Sequence, residues 1–306
     1  MSDAEVVILT GGTGGAKLAR GLAEVAGPEH VTAIVNTGDD IEIYGAHVSP
    51  DPDLVSFWLA DTIDERGWGL REDSFAVMDA LRALGVEVWF NLGDRDLAWC
   101  MERARMLAEG FSPTAAIAHL NEAIGLRTRV LPMSDDPVRT WVRTGSAGWC
   151  SFQEFMIRER AAGMIEGLEY RGAEQARPSE QALAAIADAD VIVIGPSNPL
   201  ASIAPILAVP GISDALGDAV APVVAVSPIV GGQVLKGPTA AFMAFGALEC
   251  SAAGVADFYG ELLDGIVADE EVNRLTTLQT DTRMADAAGR ARVAEQTLSF
   301  AQGLAS

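Results

Sequence analysis

Short, almost wholly apolar runs recur along this chain and alternate with stretches whose apolar residues fall three or four apart. Val6-Val7-Ile8-Leu9, Val31-Thr32-Ala33-Ile34-Val35, Val191-Ile192-Val193-Ile194, Val223-Val224-Ala225-Val226 and Gly265-Ile266-Val267-Ala268 are too short for helices. Runs of that kind belong to strands covered by helices on both faces. Helical spacing covers Ala16–Val25, where Leu18, Leu22 and Val25 share a face. It recurs at Leu54–Ile63, Phe75–Leu84, Leu97–Ala108, Pro113–Ile124 (with Ser112 as N-cap), Glu180–Ala187, Ile203–Leu207, Ala240–Cys250, Val255–Leu263 and Met284–Phe300. Val86-Glu87-Val88-Trp89-Phe90 reads as one more strand. Strand and helix in alternation predict an α/β fold with a doubly wound, mainly parallel, Rossmann-like sheet, formed by residues 1–306 as a single domain.

The middle of the chain changes character. Thr140–Thr144 and Trp149–Gln153 flank a glycine-containing break at 145–148 and read as an antiparallel pair, with Glu154–Arg160 leading into a polar helical excursion. Residues from about 135 to 180 are therefore a candidate insertion or cap region.

Composition narrows the partners. The 306 residues carry 43 acidic against 21 basic side chains, a formal net charge of −22, without any Lys/Arg cluster. A nucleic acid backbone would find no cationic track. No apolar run approaches the ~18 residues of a membrane helix, and the opening Met1-Ser2-Asp3-Ala4-Glu5 has no basic or apolar leader character, so a cytoplasmic protein without a membrane partner is expected. Cys100, Cys150 and Cys250 are odd in number and widely spaced, which fits reduced thiols. His30, His47 and His119 are not spaced as metal ligands. An acidic protein that handles phosphate must use backbone N–H groups or recruit a divalent cation.

The turn Thr10-Gly11-Gly12-Thr13-Gly14-Gly15-Ala16-Lys17 supplies such N–H groups. It joins a strand to a helix, its glycines permit close backbone approach, and the helix adds the positive end of its dipole. It has neither the Walker spacing nor the dinucleotide fingerprint, which disfavours an NAD-dependent dehydrogenase. Ligands of doubly wound sheets bind at the carboxyl ends of strands. Those ends run into Asn36-Thr37-Gly38-Asp39-Asp40, Asn91-Leu92-Gly93-Asp94-Arg95-Asp96, Gly195-Pro196-Ser197-Asn198-Pro199 and Ser227-Pro228-Ile229-Val230-Gly231-Gly232. Asp39 and Asp40 suit a divalent cation or a ribose hydroxyl, and equally a solvated turn. Ser49-Pro50-Asp51-Pro52-Asp53 adds two carboxylates before a helix, where Asp53 can be an N-cap or a ligand. Asp94-Arg95-Asp96 suits a surface ion pair, and Ser134-Asp135-Asp136-Pro137 a turn.

These strings, together with Pro132-Met133, Phe152-Gln153-Glu154-Phe155 and Gly254-Val255-Ala256, resemble the 2-phospho-L-lactate transferase family of coenzyme F-420 biosynthesis, whose actinobacterial branch is a phosphoenolpyruvate transferase. The resemblance implies transfer of a phospho-three-carbon-acid unit, phospholactyl or phosphoenolpyruvyl, from its guanosine diphosphate ester to the terminal ribityl hydroxyl of the deazaflavin Fo, with release of GMP. It implies nucleotide and phosphate binding at Gly11, Gly12, Thr13, Gly14, Gly15, Gly195, Ser197, Asn198 and Ser227, and Fo contacts at Asp53 and Asn91. Magnesium is the expected cofactor, held by Asp40 and Asp53, with Asp53 also the catalytic candidate; a homodimer is the expected assembly. A nucleotide-sugar-binding regulatory protein of a related fold is the alternative, disfavoured by Asp94-Arg95-Asp96, Asp135-Asp136 and Pro196-Ser197-Asn198-Pro199, which resemble the transferases.

Overall fold

The computed structural model describes residues 4–145, 148–234 and 237–305. Met1–Asp3, and Ser146 and Ala147 of the expected break, lie outside the described residues. Seven strands form one parallel sheet, ordered from edge to edge as Thr276–Gln279, Gly265–Ala268, Val223–Val226, Val191–Ile194, Val6–Thr10, Val31–Val35 and Arg129–Pro132. Side chains alternate across it. Val7 and Leu9 join one core with Ala182, Ile206, Leu216 and Val255, whereas Val6 and Ile8 join the opposite core with Leu18, Leu22, Val293 and Leu298. Helices therefore cover both faces, and the sheet is doubly wound as the apolar runs predict.

The order of the strands locates a switch point. From Val6–Thr10 the chain steps outward through Val31–Val35 to Arg129–Pro132, then returns to place Val191–Ile194 on the other flank of Val6–Thr10. The connections leaving Val6–Thr10 and Val191–Ile194 diverge to opposite faces and open a crevice at their carboxyl ends. Glycine lets the two loops close up there. A Cβ at Gly14 would overlap the Pro196 carbonyl oxygen, and one at Gly195 would lie 3.3 Å from the Gly15 Cα. The Ser197 hydroxyl fastens the seam by donating to the Gly11 carbonyl at 2.7 Å and accepting from the Gly11 N–H at 3.2 Å.

Several expected elements differ. Val86–Phe90 is not a strand: the N–H groups of Trp89 and Phe90 donate to the Tyr44 hydroxyl at 3.1 and 3.2 Å, outside any sheet. Its Glu87 and its exposed Val86 would not fit a sheet buried on both sides. The outer strand beside Val31–Val35 is Arg129–Pro132, too short and too polar at its start to stand out in sequence. The middle region does form the antiparallel pair, Arg139–Thr144 with Gly148–Ser151, but the excursion after it is a short turn of π-helix, Glu154–Arg158, leading into a third strand, Ile165–Arg171. Val142, Phe152, Phe155 and Ile165 of this small sheet pack on Leu200, Ala201 and Phe242.

The packing of the seam is testable by thermal denaturation. Gly14→Ala is expected to destabilise the protein by about 1–3 kcal/mol, the range for forced overpacking. Gly217→Ala, at a helix end where a Cβ meets nothing within 4 Å, should leave the midpoint unchanged or raise it. Equal midpoints for the two variants would refute a tight seam.

Candidate active site

One cavity of about 940 Å³ lies over the switch point. That volume is at the upper end of the roughly 300–1,000 Å³ usual for one small ligand, so two can lie side by side. Its first wall is the glycine turn. Gly12 starts the helix Gly12–Ala26 with φ +66°, and Gly11, at the cap position, offers no side chain. The first-turn N–H groups of Thr13 and Gly14 have no acceptor four residues earlier within the helix, and both residues line the cavity. That end of the helix attracts anions. The second wall is aromatic, made by Phe57, Trp68, Trp89 and Phe90.

Buried carboxylates complete the lining. The Asp51 carboxylate accepts from the Gly12 N–H at 2.7 Å and from the Asn36 side-chain amide at 2.9 Å, and the same amide reaches Asp39 at 3.1 Å. Both acids line the cavity. Burial pushes the Asp39 carboxyl well above its usual range, and the neighbouring Asp51 charge adds to this. Burial likewise raises Asp51 to about 6, against the downward pull of the Asn36 and Gly12 hydrogen bonds. Two acids this close, at an anion-attracting helix end, create a strong demand for a cation.

Asp53 has a different environment. It follows Asp51 by two residues in the first turn of the helix Pro50–Leu59 and points to another side. Arg103 holds it bidentately and the Trp99 indole donates to it at 2.8 Å. Asp96 lies beside it, together with the Cys100 thiol, with ligand atoms of the three within 4.8 Å of one another. Burial, then the charges of Asp53 and Asp73, push Asp96 up to about 7.

The sequence-derived residues are thus partly gathered. Gly11, Gly12, Thr13, Gly14, Ser197, Asn198, Ser227, Asp53 and Asn91 all line the cavity. Gly15 and Gly195 lie behind it, in the seam. Asp40 is not on its wall: it accepts from Ser49 at 2.7 Å, pairs with His47 at 3.1 Å and borders a separate cavity of about 520 Å³. The side chains of Asn198 and Ser227 are occupied by nearby backbone, Asn198 capping Leu200 and Ala201, and Ser227 bonded to Ile229. Asn91 accepts from Arg82 at 2.7 Å. Asp94 makes no ion pair with Arg95; it accepts from Ser74, Ala76 and Val77 at the start of the helix Ala76–Ala83. Sequence reasoning assigned no role to Asn36, Arg103 or Asp96 individually. The last could have been flagged with Arg103, because Asp96, Cys100 and Arg103 stand at i, i+4 and i+7 and so share one helix face.

The chain was compared with known proteins. The family profile of 2-phospho-L-lactate transferase CofD matches residues 6–298. A phosphoenolpyruvate transferase of Streptomyces coelicolor is 43% identical over 270 residues, covering 86% of this chain and 85% of that protein. A 2-phospho-L-lactate transferase of Methanosarcina mazei is 39% identical over 266 residues, covering 87% of each. Among solved structures, a member of the upf0052 family from Bacillus halodurans shares the fold with a TM-score of 0.63 at 20% identity, over 97% of this chain and 99% of that one.

The strained acid pair gives a stability prediction. Asp39 has a folded pKa raised above its unfolded value, so the destabilisation from its charge is absent at low pH and grows as pH rises above about 4. Asp39→Asn keeps an acceptor for Asn36 and removes that charge. In the absence of divalent cations it should raise the thermal midpoint by at least about 2 °C at pH 8, and by less at pH 5. A variant less stable than the parent at pH 8 would show that the pair is not strained.

Proposed function

This chain belongs to the 2-phospho-L-lactate transferase family, and on that premise we propose that it transfers a phospholactyl or phosphoenolpyruvyl unit from a guanosine diphosphate ester to the terminal ribityl hydroxyl of the deazaflavin Fo. In the proposed step the hydroxyl oxygen bonds to the phosphorus that carries the three-carbon acid as its O–H bond breaks and the proton passes to solvent, the bond from that phosphorus to the GMP oxygen breaks, and GMP leaves. The observation that carries the reading is one cavity lined both by a glycine-rich helix start and by aromatic side chains. A diphosphate donor suits the first and a flat aromatic acceptor the second.

Transfer of this kind depends on positioning and on charge neutralisation more than on covalent catalysis. The N–H groups of Thr13 and Gly14 would hold donor phosphate oxygens. Asp39 and Asp51 fit magnesium better than the Asp40 and Asp53 of the sequence reading. They are buried together on the cavity wall, whereas Asp40 borders another cavity and the Asp53 charge is offset by Arg103. When bound, magnesium supplies positive charge beside the diphosphate. Asp53, so neutralised, would accept a hydrogen bond from the attacking hydroxyl, with Asn91 farther along the same wall. The family resemblance also underlies a proposed homodimer, checked by light-scattering mass.

The test is to incubate the protein with magnesium, Fo and each guanosine diphosphate ester, and to follow GMP and the phosphodiester product. Guanine-nucleotide binding without product would overturn the reading in favour of a regulatory protein. Gly12→Val should weaken GDP binding at least about tenfold, because its φ of +66° resists a branched side chain and the open space at its Cβ belongs to the cavity. Fo affinity should stay within about twofold, and calorimetric titration with each ligand reads the split.

A further inference from the structure

Asp96 is a cavity-lining carboxyl for which the protein provides almost no hydrogen bonds. It is 8% exposed, and among the described residues its side-chain oxygens receive only a marginal contact, 4.0 Å from the Cys100 sulfur. A carboxyl left with so much unused acceptor capacity on the cavity lining is open to a ligand's donor. Its neighbours locate it along the cavity. Asp51 touches the phosphate end through the Gly12 N–H, and Asp53 is one step farther along the same helical turn. Asp96 lies within 4.8 Å of Asp53, and its Oδ2 is 3.7 Å from where a Cβ on Gly69 would stand, next to Trp68 of the aromatic wall. Asp96 therefore has Asp53 on one side and the Gly69 turn beside Trp68 on the other.

We propose that Asp96 is a specificity-determining residue that binds a hydroxyl of the acceptor's polyol chain, between the attacking terminal hydroxyl and the ring. The inference rests on the functional reading above, in which the ring lies against the aromatic wall and the terminal hydroxyl beside Asp53. An acceptor spanning that distance must carry its intervening chain past Asp96, and an O–H donor is what an unsatisfied carboxyl takes up. A cation suits the position less well, because Arg103 already holds the neighbouring Asp53 through both oxygens. By fixing one chain hydroxyl, Asp96 sets how far the terminal hydroxyl reaches toward the phosphorus, and a small misplacement there costs rate.

Calorimetric titration of the parent and of Asp96→Ala with three probes tests this: Fo, the same deazaflavin ring without its ribityl chain, and GDP. Expected is a loss of about tenfold or more in Fo affinity, with ring-only and GDP affinities within about twofold of the parent. Unchanged Fo affinity, or equal losses for Fo and the ring-only compound, would overturn the role of Asp96. So would a thermal shift with magnesium or zinc alone that the parent shows and the variant lacks, since that would make the cluster a metal site. If Asp96→Ala does not bind GDP, Asp96→Leu, close in size and without an acceptor, takes its place, with the same pattern expected and the same outcomes decisive. A parent that binds GDP but not Fo would count against the functional reading itself, which keeps the two failures apart.

Discussion

The close approach of two glycine-containing loops at the switch point is the constraint on which the rest of the structure depends. Parallel strands buried on both faces leave their carboxyl ends as the place where backbone polar groups can face a ligand. The Ser197 hydroxyl uses its donor and one acceptor lone pair on Gly11, so it joins the two loops. The seam fixes the start of the helix Gly12–Ala26, and with it the direction of the first-turn N–H groups. Asp51 is bonded to that same helix start, which ties the acid cluster to the sheet.

Charge is handled locally in a protein that is acidic throughout. Two buried acids two residues apart receive opposite treatment. Asp53 meets a guanidinium and an indole donor, and its charge is offset within the fold. Asp51 meets another acid across a shared amide and keeps an unmet demand for positive charge. The difference comes from what the facing elements bring, since the helix Asp94–Ala108 carries Arg103 to one side and the end of Val31–Val35 carries Asn36 and Asp39 to the other. A fold that leaves acids buried and uncompensated gives up stability at the point where binding can recover it.

Much of the architecture was legible from the sequence because strands buried on both faces must be apolar without interruption. Val6–Leu9, Val31–Val35, Val191–Ile194, Val223–Val226 and Gly265–Ala268 could hardly be anything else, and the glycine turn after the first of them marked the crevice. Edge and peripheral elements were less legible, since their strands are short and begin or end in exposed polar residues. Arg129–Pro132 and Thr276–Gln279 escaped notice on that account, and Val86–Phe90 imitated a strand while lying outside every sheet.

By itself the sequence determined the fold class, the family and the strings that meet at the crevice, all of which are encoded by local periodicity and by glycines that tolerate no side chain. Only the tertiary structure decided which acid does what. Neighbours such as Asp39 and Asp40, or Asp51 and Asp53, are equivalent as letters but point to different sides of the backbone, one of each pair toward Asn36 and the other toward His47 or Arg103. The cation that pairs with a carboxylate can come from fifty positions away, as Arg103 does for Asp53. No local pattern specifies that meeting, because long-range packing brings the two together.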